Sequence, residues 1–198
     1  MKVLLVSASS RSNSQSHRIC MQIKQRLLDD DSIIHDLYEQ PLPLWMAQED
    51  NDHKVSQEIA SWQNNLTKSD AFIFVVPEWH GAAPPAIKNA LQWSVAGSLA
   101  HKPCLLVGIS SSVGGALAIS DMRSTTYKNS RLLYLPEHII IRDVEKLWSD
   151  NAKKVKSTHY IEERLEVMIN QLRLYTEALA PCREQFLLDI AKYPNGMS

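Results

Sequence analysis

The chain alternates short apolar runs with longer amphipathic segments, and this alternation constrains its fold more than any other feature. The strongest run covers residues 71–76, contains no polar residue and is followed by Pro77. A strand without polar alternation is typical of a central parallel strand that is buried on both faces. We therefore expect a parallel sheet covered by helices.

Five apolar runs predict strands, and five amphipathic stretches predict helices that alternate with them. The strands are expected at residues 3–8, 32–37, 71–76, 104–109 and 138–141. The helices are expected at about residues 14–28, 53–67, 84 or 85 to 95, 116–133 and 159–179. Alternation of this kind predicts an α/β fold, an open five-stranded parallel sheet between two helical layers. The segment 41–45 contains too much proline for either regular element.

The length of 198 residues corresponds to about one domain. We expect a single domain that includes a C-terminal helical extension from about residue 150. Periodicity does not fix the order of the strands, and 2-1-3-4-5 is a common order for five parallel strands. Helical spacing places Val95 on the buried face of the third helix. The buried face of the last helix is expected to contain Leu165, Met168, Ile169, Leu172 and Tyr175.

Composition argues against several classes of function. The formal net charge is −1, and no run of Lys or Arg indicates a nucleic-acid or membrane-surface binder. The three cysteines are far apart and the seven histidines lack paired spacing, so neither a disulfide framework nor a metal site is expected. The first apolar run is too short for a secretory signal, and no stretch of about 20 apolar residues is present. We expect a cytoplasmic protein.

The loop after the first predicted strand, residues 7–16, contains six serines and Arg11 and leads into a helix. Hydroxyl groups, backbone N–H groups at a helix N-terminus and a guanidinium favour a phosphate ligand. A flexible surface loop with an N-cap serine is the alternative. The loop contains neither a Gly-x-Gly-x-x-Gly fingerprint nor a Gly-Lys-Ser/Thr sequence, and it lacks the acidic cluster of a phosphoacceptor domain.

Two further loops follow the third and fourth predicted strands and would meet the first loop at one edge of the sheet. In residues 77–85, Trp79 can cover a planar ring and Gly81 allows close backbone approach. Packing or a subunit contact is the alternative for Trp79, and an ordinary polar side chain is the alternative for His80. In residues 108–115, small residues and a glycine pair suit backbone donors at a heterocycle edge, or simply a tight turn.

The segment 77–93 resembles the flavin loop of the NAD(P)H-dependent FMN reductase family, in which Pro-Glu-Tyr-Asn-Gly is followed by Pro, Lys-Asn-Ala and Trp. The matching residues are Pro77, Glu78, Gly81, Pro84, Lys88, Asn89, Ala90 and Trp93. Residues 9–16 resemble the phosphate loop of that family, and residues 110–115 resemble its second ring-edge loop. The resemblance covers about residues 1–145. The chain departs from the pattern at Trp79-His80, where the family has Tyr-Asn, and at Ala8-Ser9, where it has Gly-Ser.

The resemblance implies a flavodoxin-like three-layer sandwich that binds FMN and forms a homodimer or homotetramer. It implies that the FMN phosphate is held by Ser9, Arg11, Ser14, Gln15 and Ser16. It implies that the flavin ring is lined by Pro77, Glu78, Trp79, His80 and Gly81, and that the other ring edge is approached by Ser110, Ser112, Gly114 and Gly115.

The function implied is transfer of two electrons from NADH or NADPH to a small acceptor such as a quinone, an azo or nitro compound, or free flavin. The cofactor carries this chemistry, so no catalytic side chain is expected, and His80 is a candidate modulator of turnover. One alternative is an FMN-binding electron carrier or redox sensor with little NAD(P)H turnover. Another is a structural protein that keeps the fold without flavin.

Overall fold

The computed structural model describes residues 1–46, 56–148 and 156–193. Within these ranges the strands are β1 (Val3–Ser7), β2 (Ile33–Asp36), β3 (Ala71–Pro77), β4 (Pro103–Ile109), β5 (Leu133–Tyr134) and β6 (Ile139–Ile141). The helices are α1 (Gln15–Leu27), α2 (Gln57–Lys68), α3 (Pro85–Gln92), α4 (Ala116–Thr125), α5 (Lys156–Leu179) and α6 (Arg183–Lys192). The predicted start of the second helix at residue 53 and the start of the extension near residue 150 lie outside the described residues.

All strand pairs in the sheet are parallel, and the order β2-β1-β3-β4-β5 confirms the predicted fold. In the register of the central strands, Leu5 lies opposite Ile73, and Ile73 lies opposite Leu105. The prediction of five strands is wrong in one respect, because β5 and β6 share the last edge of a six-stranded sheet. The seven-residue β4 is long enough to pair with β5 near its start and with β6 near its end.

The fourth helix is shorter than predicted, because α4 ends at Thr125 and Leu133 belongs to β5. The hydroxyls of Thr125 and Thr126 donate to carbonyl oxygens four residues earlier, which is typical of Ser and Thr near a helix end. Asn129 then takes a positive φ of 61°, which a helix cannot accommodate. The sequence pattern predicts a longer helix because polar and apolar residues remain mixed beyond Thr125.

Other boundaries also differ from the predictions. The third strand is predicted to end at residue 76, whereas Pro77 is the last residue of β3. The third helix ends at Gln92, so Val95 lies beyond it and is 42% exposed. Tyr175 is 42% exposed, because Thr176, one turn after Leu172, takes the buried position on α5. The apolar stretch 186–190 belongs to α6.

The sheet separates two apolar clusters. On one face α1 and α5 pack against the strands, and on the other face α2, α3 and α4 do so. The buried apolar residues on α1 are Ile19, Cys20 and Ile23, and those on α5 include Leu165, Met168, Ile169 and Leu172. Trp62 is the largest fully buried side chain, and its indole N–H donates to the carbonyl oxygen of Ala90 on α3. No helix within the described residues is long and apolar enough to cross a membrane.

Lys102 is a buried cation that immediately precedes β4, at the edge of the sheet where that strand begins. Its side chain lies under the end of α2, where Nζ donates to the carbonyl oxygens of Leu66 and Thr67. Burial lowers the pKa of Lys102 to about 8; the nearby charge of Arg183 acts in the same direction and that of Asp70 opposes it. The folded protein therefore releases this proton at a lower pH than the unfolded chain does.

We expect the difference in unfolding free energy between the wild type and Lys102→Met to depend on pH. Since the folded pKa of Lys102 is depressed, the wild type gains stability relative to the variant as pH rises from about 8 to about 10.5. The gain should reach up to about 3 kcal/mol. Denaturant titrations at pH 7 to 10 measure it, with the exposed Lys68→Met as the matched control. Parallel pH profiles for the wild type and Lys102→Met would contradict the prediction.

Candidate functional site

A cavity of about 490 Å³ lies where the carboxyl ends of β1, β3, β4 and β6 meet. This volume is within the range of small-molecule and cofactor sites. The lining residues come from four chain segments and are Ser9, Arg11, Ser12, Asn13, Ser14, Gln15, Ser16, Pro77, Glu78, Trp79, Ile109, Ser110, Ser111, Ser112, Val144 and Glu145. The structure thus brings the three predicted loops together at one edge of the sheet.

The first wall is the loop after β1 and the start of α1. Ser14 is the N-cap, and its Oγ accepts a hydrogen bond from the N–H of His17 at 3.1 Å. The N–H groups of Gln15 and Ser16 precede the first intrahelical hydrogen bond and so lack an intrahelical partner. The Oγ of Ser16 is buried and has no hydrogen-bond partner among the described residues. This wall therefore offers several unused polar groups to a ligand.

Arg18 connects this wall to the segment after β6. Its Nε donates to Gln15 Oε1 at 2.6 Å, and its two terminal nitrogens donate to the carbonyl oxygens of Leu147 and Val144 at 2.7 and 2.5 Å. Burial lowers the pKa of Arg18, and the charge of Glu145 opposes this effect. The side-chain oxygen of Gln15 is engaged by Arg18, whereas its backbone N–H has no intrahelical partner.

The second wall is a tight hairpin, residues 79–82, which follows β3. The N–H groups of Trp79 and Ala82 each donate to the carbonyl oxygen of the other residue. His80 and Gly81 have φ values of 50° and 73°, as in a type I′ turn. Trp79 lines the cavity, whereas His80 and Gly81 form the tip of the hairpin outside the lining. The role of His80 as a modulator of turnover stays a prediction.

Arg11 and Trp79 meet at the mouth of the cavity. The guanidinium carbon of Arg11 lies 5.3 Å from the centre of the indole ring, which is cation–π distance. Both side chains are exposed, so the guanidinium keeps donors that face solvent. A cation and an aromatic surface from two different loops therefore border the same opening.

The third wall joins the loop after β4 to the segment after β6. The N–H of Val144 donates to the carbonyl oxygen of Ser110, and Ser111 Oγ donates to Glu145 Oε1 at 2.5 Å. Sequence reasoning missed Val144 and Glu145 as part of the site. Their position in the chain could have identified them, because they follow the parallel strand β6 and therefore lie at the same edge of the sheet as the other loops. Gly114 and Gly115 lie outside the lining, and the N–H of Gly115 donates to the Glu78 carboxylate.

The Lys-Asn-Ala part of the matched segment lies on α3, Trp93 is the C-cap residue of that helix, and neither lines the cavity. Asn89 accepts a hydrogen bond from the N–H of Trp45 and donates to the carbonyl oxygens of Leu42 and Pro43. The indole N–H of Trp93 also donates to Pro43. These two side chains hold the proline-rich segment 41–45 against α3 through its backbone groups, so its irregular conformation is supported by specific contacts.

The charges near the cavity do not form a metal site. Within the described part of the chain, no group of three or more His, Cys, Asp or Glu residues is arranged to hold a metal ion. Lys88 on α3 instead pairs with Asp121 on α4 at 2.6 Å. The second oxygen of Asp121 accepts the N–H of Ala83, which fixes the end of the loop that carries the hairpin.

Comparison with known proteins identifies similar chains. Residues 1–145 match the family model described as NADPH-dependent FMN reductase. NADH:(hydroxy)cinnamate reductase subunit CrdA of Vibrio ruber is 30% identical over 123 residues, which are 60% of this chain and 59% of that protein. The chain therefore matches about three fifths of the length of that relative. An NADPH azoreductase of a Bacillus species is 21% identical over 145 residues, 71% of this chain and 76% of that protein.

A solved structure with a similar fold is FerB of Paracoccus denitrificans, described as a flavoenzyme NAD(P)H:(acceptor) oxidoreductase. The TM-score is 0.71 at 23% sequence identity, and the superposition covers 89% of this chain and 97% of FerB. At this identity the likeness shows the fold, which agrees with the strand order described above.

The hairpin geometry predicts opposite effects for two substitutions at its tip. Gly81→Ala should lower the free energy of unfolding by about 1–2 kcal/mol, because a residue with a Cβ is disfavoured at positive φ. The new Cβ would also lie 3.3 Å from Leu117 Cδ1. His80→Asn should be neutral or stabilise by about 0.5 kcal/mol, since Asn tolerates positive φ best after Gly. Denaturant titration measures both; a Gly81→Ala protein as stable as the wild type would show that the turn is not strained.

Proposed function

We propose that this protein, which belongs to the NADPH-dependent FMN reductase family, oxidises NADH or NADPH and reduces a small organic acceptor. Membership makes it an oxidoreductase with FMN as cofactor and NAD(P)H as electron donor. The acceptor class that we propose is a quinone, an azo or nitro compound, or free flavin. One of the relatives named above is an azoreductase, which supports an acceptor of this kind.

The residues around the cavity fit FMN. The single observation that carries this assignment is the unpaired, buried hydroxyl of Ser16 beside the N-terminus of α1. A buried hydroxyl without a partner is costly unless a ligand satisfies it. Together with the free N–H groups of Gln15 and Ser16, it forms a donor-rich site suited to a phosphate. At the other side of the opening, Trp79 offers an aromatic face to a planar ring.

The proposed contacts of FMN divide between its two ends. The phosphate would be held by Ser9, Arg11, Ser14, Gln15 and Ser16. Ser14 Oγ accepts the N–H of His17 and keeps its O–H as a donor. Gln15 Oε1 accepts Arg18, so Gln15 keeps its side-chain amide N–H groups and its backbone N–H as donors. The ring would be lined by Pro77, Glu78 and Trp79, and its other edge by Ser110 and Ser112, all of which border the cavity. We retain the prediction that His80, Gly81, Gly114 and Gly115 approach the edges of the ring, although they lie outside the cavity lining.

Bound FMN supplies the electron-transfer chemistry of such an enzyme, and the protein binds and orients it. The acidic side chains around the cavity are consistent with a protein that binds the cofactor and takes no part in the electron transfer itself. The Glu78 carboxylate accepts two backbone N–H groups and that of Glu145 accepts the hydroxyl of Ser111, so both carboxylates are committed to structural contacts. The walls hold the cavity in shape before any ligand enters, which reduces the ordering cost of binding.

We also propose that the protein acts as a homodimer or homotetramer. Large apolar side chains are exposed at the cavity and beside it: Trp79 lines the cavity, Val113 follows the lining residue Ser112, and Leu117 lies beside Gly81 of the hairpin. Exposed apolar groups beside a site favour coverage by another subunit. Light scattering of the FMN-loaded protein would measure the oligomeric state, and a monomer at micromolar concentration would contradict this part of the proposal.

The proposed function is tested first by absorbance. The purified protein is incubated with FMN, desalted, and then mixed with NADH or NADPH without oxygen. We expect a retained flavin band at about 450 nm that bleaches with at least one nucleotide. Retained flavin that neither nucleotide reduces would instead support an electron carrier or redox sensor. A protein that retains no flavin would refute the assignment of the cavity.

The phosphate assignment predicts the effect of removing Arg11. Arg11→Ala should weaken FMN binding by about 1.5–3 kcal/mol, because a charge-assisted hydrogen bond to phosphate is lost. Titration of the apoprotein with FMN, followed by the quenching of flavin fluorescence, gives the dissociation constant. Arg173→Ala, which removes an exposed arginine on α5, is the control and should bind FMN as the wild type does. An unchanged dissociation constant for Arg11→Ala would remove Arg11 from the phosphate site.

A further inference from the structure

One carboxylate, that of Glu78, joins two of the three loops around the cavity. Its Oε2 accepts hydrogen bonds from the backbone N–H groups of Gly115 at 2.7 Å and Leu117 at 2.9 Å. Both donors belong to the start of α4, whose N-cap residue Gly115 has no side chain to cap the helix. Glu78, in the loop after β3, therefore provides the cap for the helix that follows β4.

Three glycines make room for this contact. A Cβ on Gly114 would lie 2.9 Å from Glu78 Oε1, and a Cβ on Gly108 would overlap the carbonyl oxygen of Gly115. Gly115 itself has a φ of 104°, which residues with a Cβ rarely adopt. The start of α4 thus approaches both β4 and Glu78 at distances that side chains would prevent. The carboxylate is a fixed part of the cavity wall.

The negative charge of Glu78 is stabilised by the helix end, whose partial positive charge of about half a unit does not cancel it. Over residues 1–46, 56–148 and 156–193, no Lys, Arg or His side chain lies within 4 Å of its carboxylate. Backbone N–H donors and the helix dipole stabilise the charge instead. As a consequence, the N–H groups of Gly115 and Leu117 are used by Glu78 and are not free to bind a ligand.

We propose that Glu78 is a positioning residue that fixes the spacing of the two ring-edge loops and sets the reduction potential of bound FMN. The inference rests on the proposed function, because it concerns the affinity and the potential of that cofactor. A fixed negative charge at the wall of a partly desolvated cavity opposes the addition of negative charge nearby. Glu78 therefore lowers the midpoint potential of the flavin relative to a neutral side chain in the same place.

Two substitutions separate the hydrogen bonds of Glu78 from its charge. Glu78→Ala removes the acceptor, so the FMN dissociation constant should rise by at least about tenfold. Amide exchange in residues 115–117 of the apoprotein should accelerate by a similar factor. Glu78→Gln keeps an acceptor oxygen and loses the charge. Its dissociation constant should therefore stay within about threefold of the wild type while the midpoint potential of bound FMN rises.

The control is Glu58→Gln, which removes an exposed carboxylate on α2 and should change none of these quantities. A Glu78→Ala protein that binds FMN and exchanges these amides as the wild type does would overturn the positioning role. An unchanged midpoint potential in Glu78→Gln would overturn the effect of the charge. A wild type that retains no FMN would refute the proposed function, and the amide exchange rates would then decide the positioning role alone.

Discussion

The parallel pairing of β3 with β1 and β4 is the constraint on which the rest of the molecule depends. Parallel strands end at the same edge of a sheet, so the chain segments that leave β1, β3 and β4 must begin side by side. The pairing is stabilised by burial on both faces, since every residue of β3 except Pro77 is buried. The cavity exists because the loops at this edge turn away from one another into helices on opposite faces of the sheet.

Elements whose formation depends on local pattern were predictable from the sequence. The unbroken apolar run at 71–76 sufficed for β3, and the spacing of Ile19 and Ile23 sufficed for α1. The end of α4 was not predictable in this way, because hydroxyl groups that bond back to the helix and a positive φ at Asn129 end it without proline or glycine. The two-residue β5 carries no periodicity and forms only because β4 offers an unpaired edge.

Those parts of the candidate site that lie in loops of distinctive composition were predictable from the sequence. The serine-rich loop and the segment that contains Trp79 both line the cavity. Arg18 and Glu145 were missed, since their importance comes from contacts with residues far away in the chain. Arg18 lies 126 positions from Val144, whose carbonyl oxygen it binds. No local pattern distinguishes such an arginine from a solvent-exposed one on an amphipathic helix.

The charged groups around the cavity mainly form hydrogen bonds with other groups of the protein. Glu78 holds the start of α4, Glu145 holds Ser111, and Arg18 holds the carbonyl oxygens after β6. Each contact joins segments that leave different strands, so the walls keep their spacing although they consist mostly of loops. Such an arrangement suits a cofactor that supplies the reactive atoms itself. The protein then has to provide a rigid binding site with suitable charges, and it does not have to provide a proton donor. Loss of a wall contact would consequently affect ligand affinity even where the altered side chain never touches the ligand.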